Sequence, residues 1–314
     1  MATLVYVEEP GDLTQQALAF ARGLGEPLHA FTTGDPLAVT GVEKVHHAEG
    51  DAFASYAPAA IARALVELVE AQSPSAVVAS GTPRGNEVLA RVAAITDLPV
   101  AANCVASTPG DPASVTRTRW GGSLLEEARI HGERLLLTVQ PHAVAPEPAT
   151  DEPAPVERFA PTLAEEDLVV TVRERAGSSA GGVSLAEAKV VVSCGRGAGS
   201  PEGFGIIEEL AGLLGGAVGC SRAVTMAGWR PHTDQVGQTG TKIAPDVYIA
   251  CGISGATQHM AGCKGAKAIL AVNIDPEAPI FASADYAVIG DLHEVVPAIS
   301  AELRKAQKGT AEPG

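Results

Sequence analysis

Short apolar runs alternate with helical patterns at the start of the chain. The runs that predict strands are Leu4–Val7, Leu28–Phe31 and Ala76–Ala79, and the apolar spacings of three and four that predict helices lie in Leu13–Arg22, Tyr56–Gln72 and Asn86–Ile95. Strands separated by helices of this length are joined by right-handed crossovers and pair in parallel. The pattern therefore predicts a parallel α/β sheet.

The pattern changes beyond residue 115. Two short apolar runs, Val115–Trp120 and Leu135–Val139, lie on either side of Gly121-Gly122 and predict added antiparallel strands. The segment Gln140–Pro161 contains six prolines, which predicts an extended or loop segment and excludes a helix. One more strand is predicted at Leu168–Arg173.

A run of small residues, Ala176–Val183, predicts a domain boundary. A second alternating pattern follows it, with strands at Val190–Cys194, Val247–Cys251, Ala268–Val272 and Ala287–Ile289 and helices at Glu202–Leu214 and Leu292–Ala306. We therefore expect two α/β domains in series, residues 1–183 and residues 184–314. The first is a parallel-sheet domain with added antiparallel strands.

Charge narrows the possible partners of the chain. The 314 residues carry 22 Lys and Arg against 37 Asp and Glu, a net charge of −15, which disfavours a nucleic-acid-binding protein. Residues 1–183 hold −12 of this charge and residues 184–314 only −3. The C-terminal part is thus the better place for an anionic ligand.

Cysteine usage and hydropathy bear on localisation. The five cysteines, Cys104, Cys194, Cys220, Cys251 and Cys263, lie at wide spacings that disfavour a structural zinc or iron–sulfur site. They are typical of reduced, mostly buried thiols in a cytoplasmic protein. We expect neither a signal peptide nor a membrane-spanning segment.

Glycine- and hydroxyl-rich loops follow the predicted strands of the C-terminal domain, at the edge where open parallel sheets bind ligands. The loops are Cys194–Ser200, Gly219–Ala223, Gln235–Lys242 and Gly252–His259, and polar Asn273 and Asp291 follow the last two strands. Together they indicate a dinucleotide, but each has a plainer interpretation. Arg196 could neutralise a phosphate or sit in an ordinary turn. Asp291 could hold a ribose or only cap a helix, and His259 could be purely structural.

Several motifs in one order give the chain a specific resemblance. They are Gly195-Arg-Gly197, Ser221-Arg-Ala-Val224, Gln235-Val-Gly-Gln-Thr-Gly240, Ala244-Pro-Asp-Val-Tyr-Ile-Ala250, Gly252-Ile-Ser-Gly-Ala-Thr-Gln-His-Met-Ala-Gly262 and Asn273-Ile-Asp-Pro-Glu-Ala-Pro-Ile280. This set resembles the alpha subunits of electron transfer flavoproteins. The resemblance is dense over residues 190–295 and looser over residues 1–183, where it includes the Ser80–Asn86 loop.

The resemblance implies a Rossmann-like, doubly wound C-terminal domain that binds FAD. The family's FAD contacts fall on Arg196, Ser221, Arg222, Val236, Gly237, Gln238, Thr239, Ser254, Gly255, Ala256, Thr257, Gln258, His259, Asn273, Asp291 and Leu292. It places Arg222 over the isoalloxazine ring, the Thr239 hydroxyl near flavin N5 and His259 near the pyrimidine carbonyl. Where many members have lysine after Gln-Thr-Gly, this chain has Thr241 and then Lys242.

The resemblance also implies a function. The chain would pair with a beta subunit and carry electrons one at a time from flavin dehydrogenases, such as acyl-CoA dehydrogenases, to a membrane quinone oxidoreductase. A stabilised anionic semiquinone would be its working state, and no catalytic nucleophile or base would be needed. Two alternatives remain open at this point: an NAD(P)-binding domain of an oxidoreductase, and, from residues 1–100 alone, a regulatory protein resembling adenine-nucleotide-binding stress proteins.

Overall fold

The chain divides into two compact units, residues 1–176 and residues 177–314. The computed structural model describes residues 2–35, 38–120, 124–146, 152–172 and 184–309. The predicted boundary at Ala176–Val183 and the predicted Gly121-Gly122 turn lie outside these described ranges. No helix in the described ranges has the length and apolar character that crossing a bilayer requires.

The first unit is built on a mixed sheet of nine strands. They are β1 (Thr3–Tyr6), β2 (Leu28–Thr33), β3 (Lys44–Ala48), β4 (Ala76–Ser80), β5 (Val100–Thr108), β6 (Ala113–Arg119), β7 (Leu124–Ile130), β8 (Leu135–Val139) and β9 (Val156–Phe159). Their order is β7-β6-β5-β8-β4-β1-β2-β3-β9. From β5 to β9 every neighbouring pair is parallel, whereas β6 pairs antiparallel with β5 and with β7. The predicted parallel sheet with antiparallel additions is confirmed.

Helices cover both faces of this sheet. They are α1 (Asp12–Arg22), α2 (Pro58–Gln72) and α3 (Pro83–Thr96). One apolar cluster includes Leu18 of α1, and the other includes Leu65 of α2 and Leu89 of α3. The start of α3 is specified locally, because the Thr82 hydroxyl accepts a hydrogen bond from the Gly85 backbone N–H at 2.9 Å.

Two expectations for this unit are wrong. Leu135–Val139 is a central strand, parallel to β4 and β5, and not an antiparallel addition. All five of its residues are buried, and an unbroken apolar run is typical of a strand covered on both faces. The strand predicted at Leu168–Arg173 is absent from the described residues 168–172. A 3₁₀ helix at Glu165–Leu168 ends at the first residue of the predicted strand, and its Asp167 carboxylate accepts a hydrogen bond from the Ala164 N–H.

The second unit is a doubly wound α/β domain, as predicted. Its strands are β10 (Val190–Cys194), β11 (Ala217–Cys220), β12 (Val247–Cys251), β13 (Ala268–Asn273) and β14 (Tyr286–Ile289). They are all parallel in the order β11-β10-β12-β13-β14. The helices are α4 (Gly205–Leu213), α5 (Arg222–Met226), α6 (Thr257–Cys263) and α7 (Leu292–Gly309).

The core of this unit lies on both faces of the sheet. One cluster packs α4 and α7 against the sheet, with Phe204, Ile207 and Val296 at its centre. The other surrounds Tyr248 of β12 and includes Cys263 of α6. All five cysteines of the chain are free and buried, which confirms the expectation of buried thiols.

Candidate functional site

A cleft opens at the carboxyl ends of the five parallel strands. In the order of the sheet, β11 lies on one side of β10 and β12 lies on the other. The loops that follow β10 and β12 therefore lead in opposite directions and leave a space between them. Open α/β sheets bind their ligands at such a switch point. The cleft has a volume of about 620 Å³, the size of an ordinary ligand pocket.

The floor of the cleft is made by backbone packed directly on backbone. The Gly195 N–H donates to the Cys251 carbonyl at 2.9 Å, and the Gly197 N–H donates to the Gly252 carbonyl at 3.3 Å. Gly252 has φ +58°, and a Cβ there would lie 2.7 Å from the Cα of Gly197. Only glycine permits both that conformation and that approach. The loop that follows β10 therefore presents Arg196 at the edge of the cleft.

Arg196 and Arg222 supply positive charge to the cleft. Arg222 is the first residue of α5, and both side chains are exposed. Neither guanidinium forms an ion pair or hydrogen bond with any residue that the structure describes. Ser221, directly before Arg222, is buried, and its hydroxyl has no hydrogen-bond partner among the described groups. The two exposed guanidinium groups can meet an anionic, acceptor-rich ligand.

The loop after α5 is held by one buried amide. Gln235 is 2% exposed, and its Nε2 donates to the Thr239 hydroxyl at 3.0 Å while its Oε1 accepts from the Thr225 hydroxyl at 2.7 Å. The Thr239 oxygen thus accepts from Gln235, which leaves the Thr239 hydrogen to be donated elsewhere. The same loop is joined to α6 through the Gln238 N–H, which donates to the Gln258 carbonyl at 2.7 Å.

His259 is buried in the cleft wall with one ring nitrogen engaged. Its Nε2 lies 2.7 Å from the hydroxyl of Tyr248, and its Nδ1 has no hydrogen-bond partner among the described groups. Burial lowers the pKa of His259 to about 4, against a smaller opposing effect of the Val236 backbone. The imidazole is therefore neutral near pH 7, and it can donate or accept one hydrogen bond without carrying charge.

The far wall of the cleft comes from the ends of β13 and β14. The Asn273 amide donates to the Ile253 carbonyl at 3.0 Å and accepts from the Asp275 N–H at 3.0 Å. The Asp291 carboxylate accepts from the His293 N–H at 2.9 Å, so Asp291 caps the start of α7. Each side chain retains hydrogen-bonding capacity for a ligand beyond these contacts.

The structure brings together most of the residues that the sequence resemblance singled out. The cleft is lined by Arg196, Ser221, Arg222, Val236, Gly237, Gln238, Thr239, Ser254, Ala256, Gln258, His259, Asn273, Asp291 and Leu292. Gly255 and Thr257 do not line it: Gly255 has φ +85° and packs under the Ile280 backbone. Lys242 is also absent from the lining. A contact of each residue with a cofactor stays a prediction.

Two structural contributors were missed by the sequence reasoning. Gln235 was quoted only as part of a polar loop, and Tyr248 only as part of a motif in an apolar strand. The one available signal was a polar group at each of these two positions next to apolar residues. Whether each would point inward could not be known from the sequence.

The residues present fit FAD. Two buried polar atoms in cleft-lining residues, Ser221 Oγ and His259 Nδ1, lack partners within the described ranges. Buried polar atoms are normally satisfied, so such atoms suggest a place for ligand oxygens and nitrogens. The glycine-lined floor admits close approach of a pyrophosphate, and the exposed Arg196 and Arg222 suit its charge.

Known families match both units. Residues 184–264 match the "Electron transfer flavoprotein FAD-binding domain" and residues 3–164 match the "Electron transfer flavoprotein domain". Asn273, Asp291 and Leu292 lie beyond the first of these matched segments.

Curated relatives extend the similarity over nearly the whole chain. The electron transfer flavoprotein subunit alpha of Mycobacterium leprae (strain TN) is 38% identical over 95% of this chain and 95% of its own length. The protein of that name from Paracoccus denitrificans is 38% identical over 93% of this chain and 95% of its own length. The one from Bacillus subtilis (strain 168) is 36% identical over 84% of this chain and 82% of its own length. The chain therefore belongs to the electron transfer flavoprotein alpha-subunit family, and its cofactor is FAD.

Proposed function

We propose that this chain is the FAD-carrying half of a cytoplasmic heterodimer with an electron transfer flavoprotein beta subunit. It accepts electrons from flavin dehydrogenases, such as acyl-CoA dehydrogenases of fatty acid beta-oxidation, and a membrane quinone oxidoreductase takes them onward. Transfer proceeds one electron at a time through an anionic flavin semiquinone. The chain acts as an electron carrier with no substrate turnover of its own.

The observation that carries this proposal is the guanidinium of Arg222 on the cleft wall, which pairs with no group that the structure describes. FAD supplies the redox chemistry when bound, and this chain's own residues set the electrostatics around it. A positive charge about 4 Å from a negative one is worth roughly 1 kcal/mol in water and about 4 kcal/mol at an effective dielectric of 20. Because Arg222 is exposed, its effect lies toward the lower figure, which still favours the more negative state of a bound ring.

The state of His259 fits a carrier better than an acid–base enzyme. A general acid or base works best when its pKa is near the operating pH, and burial lowers the pKa of His259 to about 4. The neutral ring can therefore donate a hydrogen bond but exchanges no proton near pH 7. We assign Arg196, Ser254, Asn273 and Asp291 to the adenosine and pyrophosphate, and Arg222, Thr239 and His259 to the isoalloxazine ring.

Co-expression with an electron transfer flavoprotein beta subunit tests the proposal. We expect a complex with one copy of each subunit and visible flavin absorbance, which a reduced acyl-CoA dehydrogenase bleaches in two one-electron stages. Expressed alone, the chain should be poorly soluble or should lose FAD. A monodisperse, fully flavinated monomer would overturn the heterodimer, and bound nicotinamide nucleotide without flavin would overturn the carrier function.

A further inference from the structure

An arginine in the connection that follows α5 joins two acidic residues from different elements. The Arg230 Nε donates to the Asp234 Oδ2 at 2.9 Å, and its Nη2 lies 2.9 Å from the same oxygen. Its Nη1 donates to the carboxylate of Glu208 on α4. The guanidinium carbon lies 5.3 Å from the centroid of the Phe204 ring. Contacts on two edges and on one face therefore fix the orientation of this planar group.

The ion pair between Arg230 and Asp234 is mostly buried. The Arg230 side chain is 14% exposed and the Asp234 side chain is 12% exposed. A pair in such a place contributes little net stability, because the cost of removing two charges from water offsets much of their attraction. Loss of the arginine would nevertheless leave the Asp234 carboxylate with no positive partner among the described residues. The pair therefore constrains the position of Asp234 more than it stabilises the fold.

Asp234 directly precedes Gln235, the buried amide that borders the cleft. The Gln235 Nε2 donates to the Thr239 hydroxyl at 3.0 Å, and its Oε1 accepts from the Thr225 hydroxyl at 2.7 Å. Thr225 lies on α5, whose first residue is Arg222. The amide thus lies between two groups that we assign to the isoalloxazine ring, the Thr239 hydroxyl and the helix that begins with Arg222.

Gln235 is held from both sides along the chain. Downstream, the Val236 N–H donates to the Cys220 carbonyl at 2.9 Å, which attaches the loop to the end of β11. Upstream, the pair of Arg230 and Asp234 attaches the chain to α4. Removal of Arg230 would leave the downstream attachment in place and release the upstream one.

We propose that Arg230 is a positioning residue for FAD: it holds Asp234 against α4 and so fixes the Gln235 amide, which directs the Thr239 hydroxyl toward the flavin ring. The proposal rests on the assignment of Thr239 to that ring in the proposed function. Arg230 is absent from the cleft lining, so it acts through the loop without touching the cofactor.

The first experiment reads the Gln235 amide directly. The co-expressed complex, with ¹⁵N in its glutamine side chains, is studied by NMR, and the Gln235 signals are identified by their loss in Gln235→Met. We expect Arg230→Met to shift these signals and to speed the exchange of the amide hydrogens with solvent about fivefold, the effect of one weakened hydrogen bond. Unchanged signals and exchange would overturn the proposal.

Arg304→Ala is the matched control for this measurement. Arg304 is also ion-paired with α4, through Glu209, but it lies on α7 and is absent from the cleft lining. It should leave the Gln235 signals unchanged. If Arg230→Met does not fold, Glu208→Ala replaces it, because Glu208 is about half exposed and its loss keeps the pair of Arg230 and Asp234. A smaller shift of the Gln235 signals is expected, and no shift would overturn the proposal.

The second experiment measures the bound flavin. Arg230→Met should weaken FAD binding about fivefold and shift the reduction potential in the same direction as Thr239→Val does. In the double variant the two effects should not add, since both act on one hydroxyl. A purely structural role would lower the thermal midpoint but leave the potential unchanged and the losses of affinity additive.

The outcomes separate this inference from the proposed function. The Gln235 signals and the affinity for FAD can be read in a complex that transfers no electrons. If Gln235 responds to Arg230→Met but the affinity and the potential do not, Arg230 only holds the loop and the proposal is wrong. Electron transfer from a dehydrogenase is measured separately on the wild-type complex, and its absence would overturn the carrier function without bearing on Arg230.

Discussion

The side-chain amide of Gln235 donates to the hydroxyl of Thr239 at 3.0 Å, across a loop that borders the cleft. Because Thr239 accepts this hydrogen bond, its own hydrogen is directed to another partner. The sequence resemblance places this hydroxyl near flavin N5. A residue that was not among the predicted contacts thus orients one that was.

A double-mutant cycle tests this relationship. Gln235→Met removes both hydrogen bonds of the amide at similar volume, and Thr239→Val removes the hydroxyl. Each single change should weaken FAD binding by about fivefold, the effect of about one hydrogen bond. The double variant should bind about as well as either single variant, since both act through one hydroxyl. Fully additive losses, measured by flavin fluorescence titration, would contradict the coupling.

Replacing Arg222 with alanine should change potential more than binding. The guanidinium interacts more favourably with a reduced, negatively charged ring than with the oxidised one, so its loss should lower the first reduction potential by tens of millivolts. For a one-electron couple, a tenfold change in equilibrium constant is about 59 mV. Potentiometry at low and high salt checks this, because solvent ions screen an exposed charge.

Arg304→Ala is the control for that measurement. Arg304 lies on α7, is ion-paired with Glu209 of α4 and is absent from the cleft lining. It changes the net charge of the complex by the same amount. An equal fall in potential for both variants would show that net charge, and not the position of Arg222, is responsible.

Acid should destabilise the fold through His259. The folded pKa is about 4 and the ordinary value is 6.5, so between these pH values the unfolded chain binds a proton that the folded chain does not. The free energy of unfolding therefore falls as the pH is lowered from about 6.5 to 4, by up to about 3 kcal/mol from this group.

His259→Gln should lose that dependence while keeping a hydrogen-bond donor. The test compares the thermal midpoints of wild type and variant, as co-expressed complexes, at about pH 7, 5.5 and 4.5. These pH values start above the ordinary pKa of histidine and approach the folded pKa of His259. The stability advantage of the wild type should shrink as the pH falls. If the thermal midpoints of wild type and variant differ by the same amount at all three pH values, the pKa of His259 does not differ between the folded and unfolded chain.

Gly252→Ala should disrupt the floor of the cleft. The new Cβ would lie 2.7 Å from both Gly197 Cα and Leu292 Cδ2, at a residue with φ +58°. We expect loss of FAD and a large fall in thermal midpoint, because the backbone at Gly197 would have to move to make room for the new Cβ. Gly212→Ala on α4 is the control: nothing lies within 4 Å of its Cβ, and helix propensity predicts a gain of up to about 1 kcal/mol. A flavinated Gly252→Ala complex of normal stability would contradict the packing.

Much of the fold follows from local sequence pattern. The alternation of apolar runs and helical spacings predicts a parallel sheet in each unit, although it does not locate β3, β5, β7, β9 or β11. The helices Leu13–Arg22 and Tyr56–Gln72 form within two residues of their predicted limits. The glycine-rich loops after β10 and β12 could be located because they follow apolar runs directly. These features are encoded within a few residues of one another, so no distant contact is needed to specify them.

Other features depended on distant partners. The composition of Leu135–Val139 suits a parallel or an antiparallel strand equally well. Its position between β4 and β5 makes it parallel. The strand at Lys44–Ala48 was missed because its polar positions, His46 and His47, are buried by other parts of the unit. Leu168–Val170 has strand-forming residues, but no neighbouring strand pairs with them in the described structure.

The sequence by itself determined the family, the two α/β units and the loops that converge on the cleft, since residues close together along the chain encode each of them. Only the tertiary structure decided how individual polar atoms are shared. Gln235 reaches Thr239, and Tyr248 reaches His259 from a different element, 11 residues away along the chain. Hydrogen bonds are directional and short, so their partners are set by how strands, loops and helices pack, which the residue types alone do not specify.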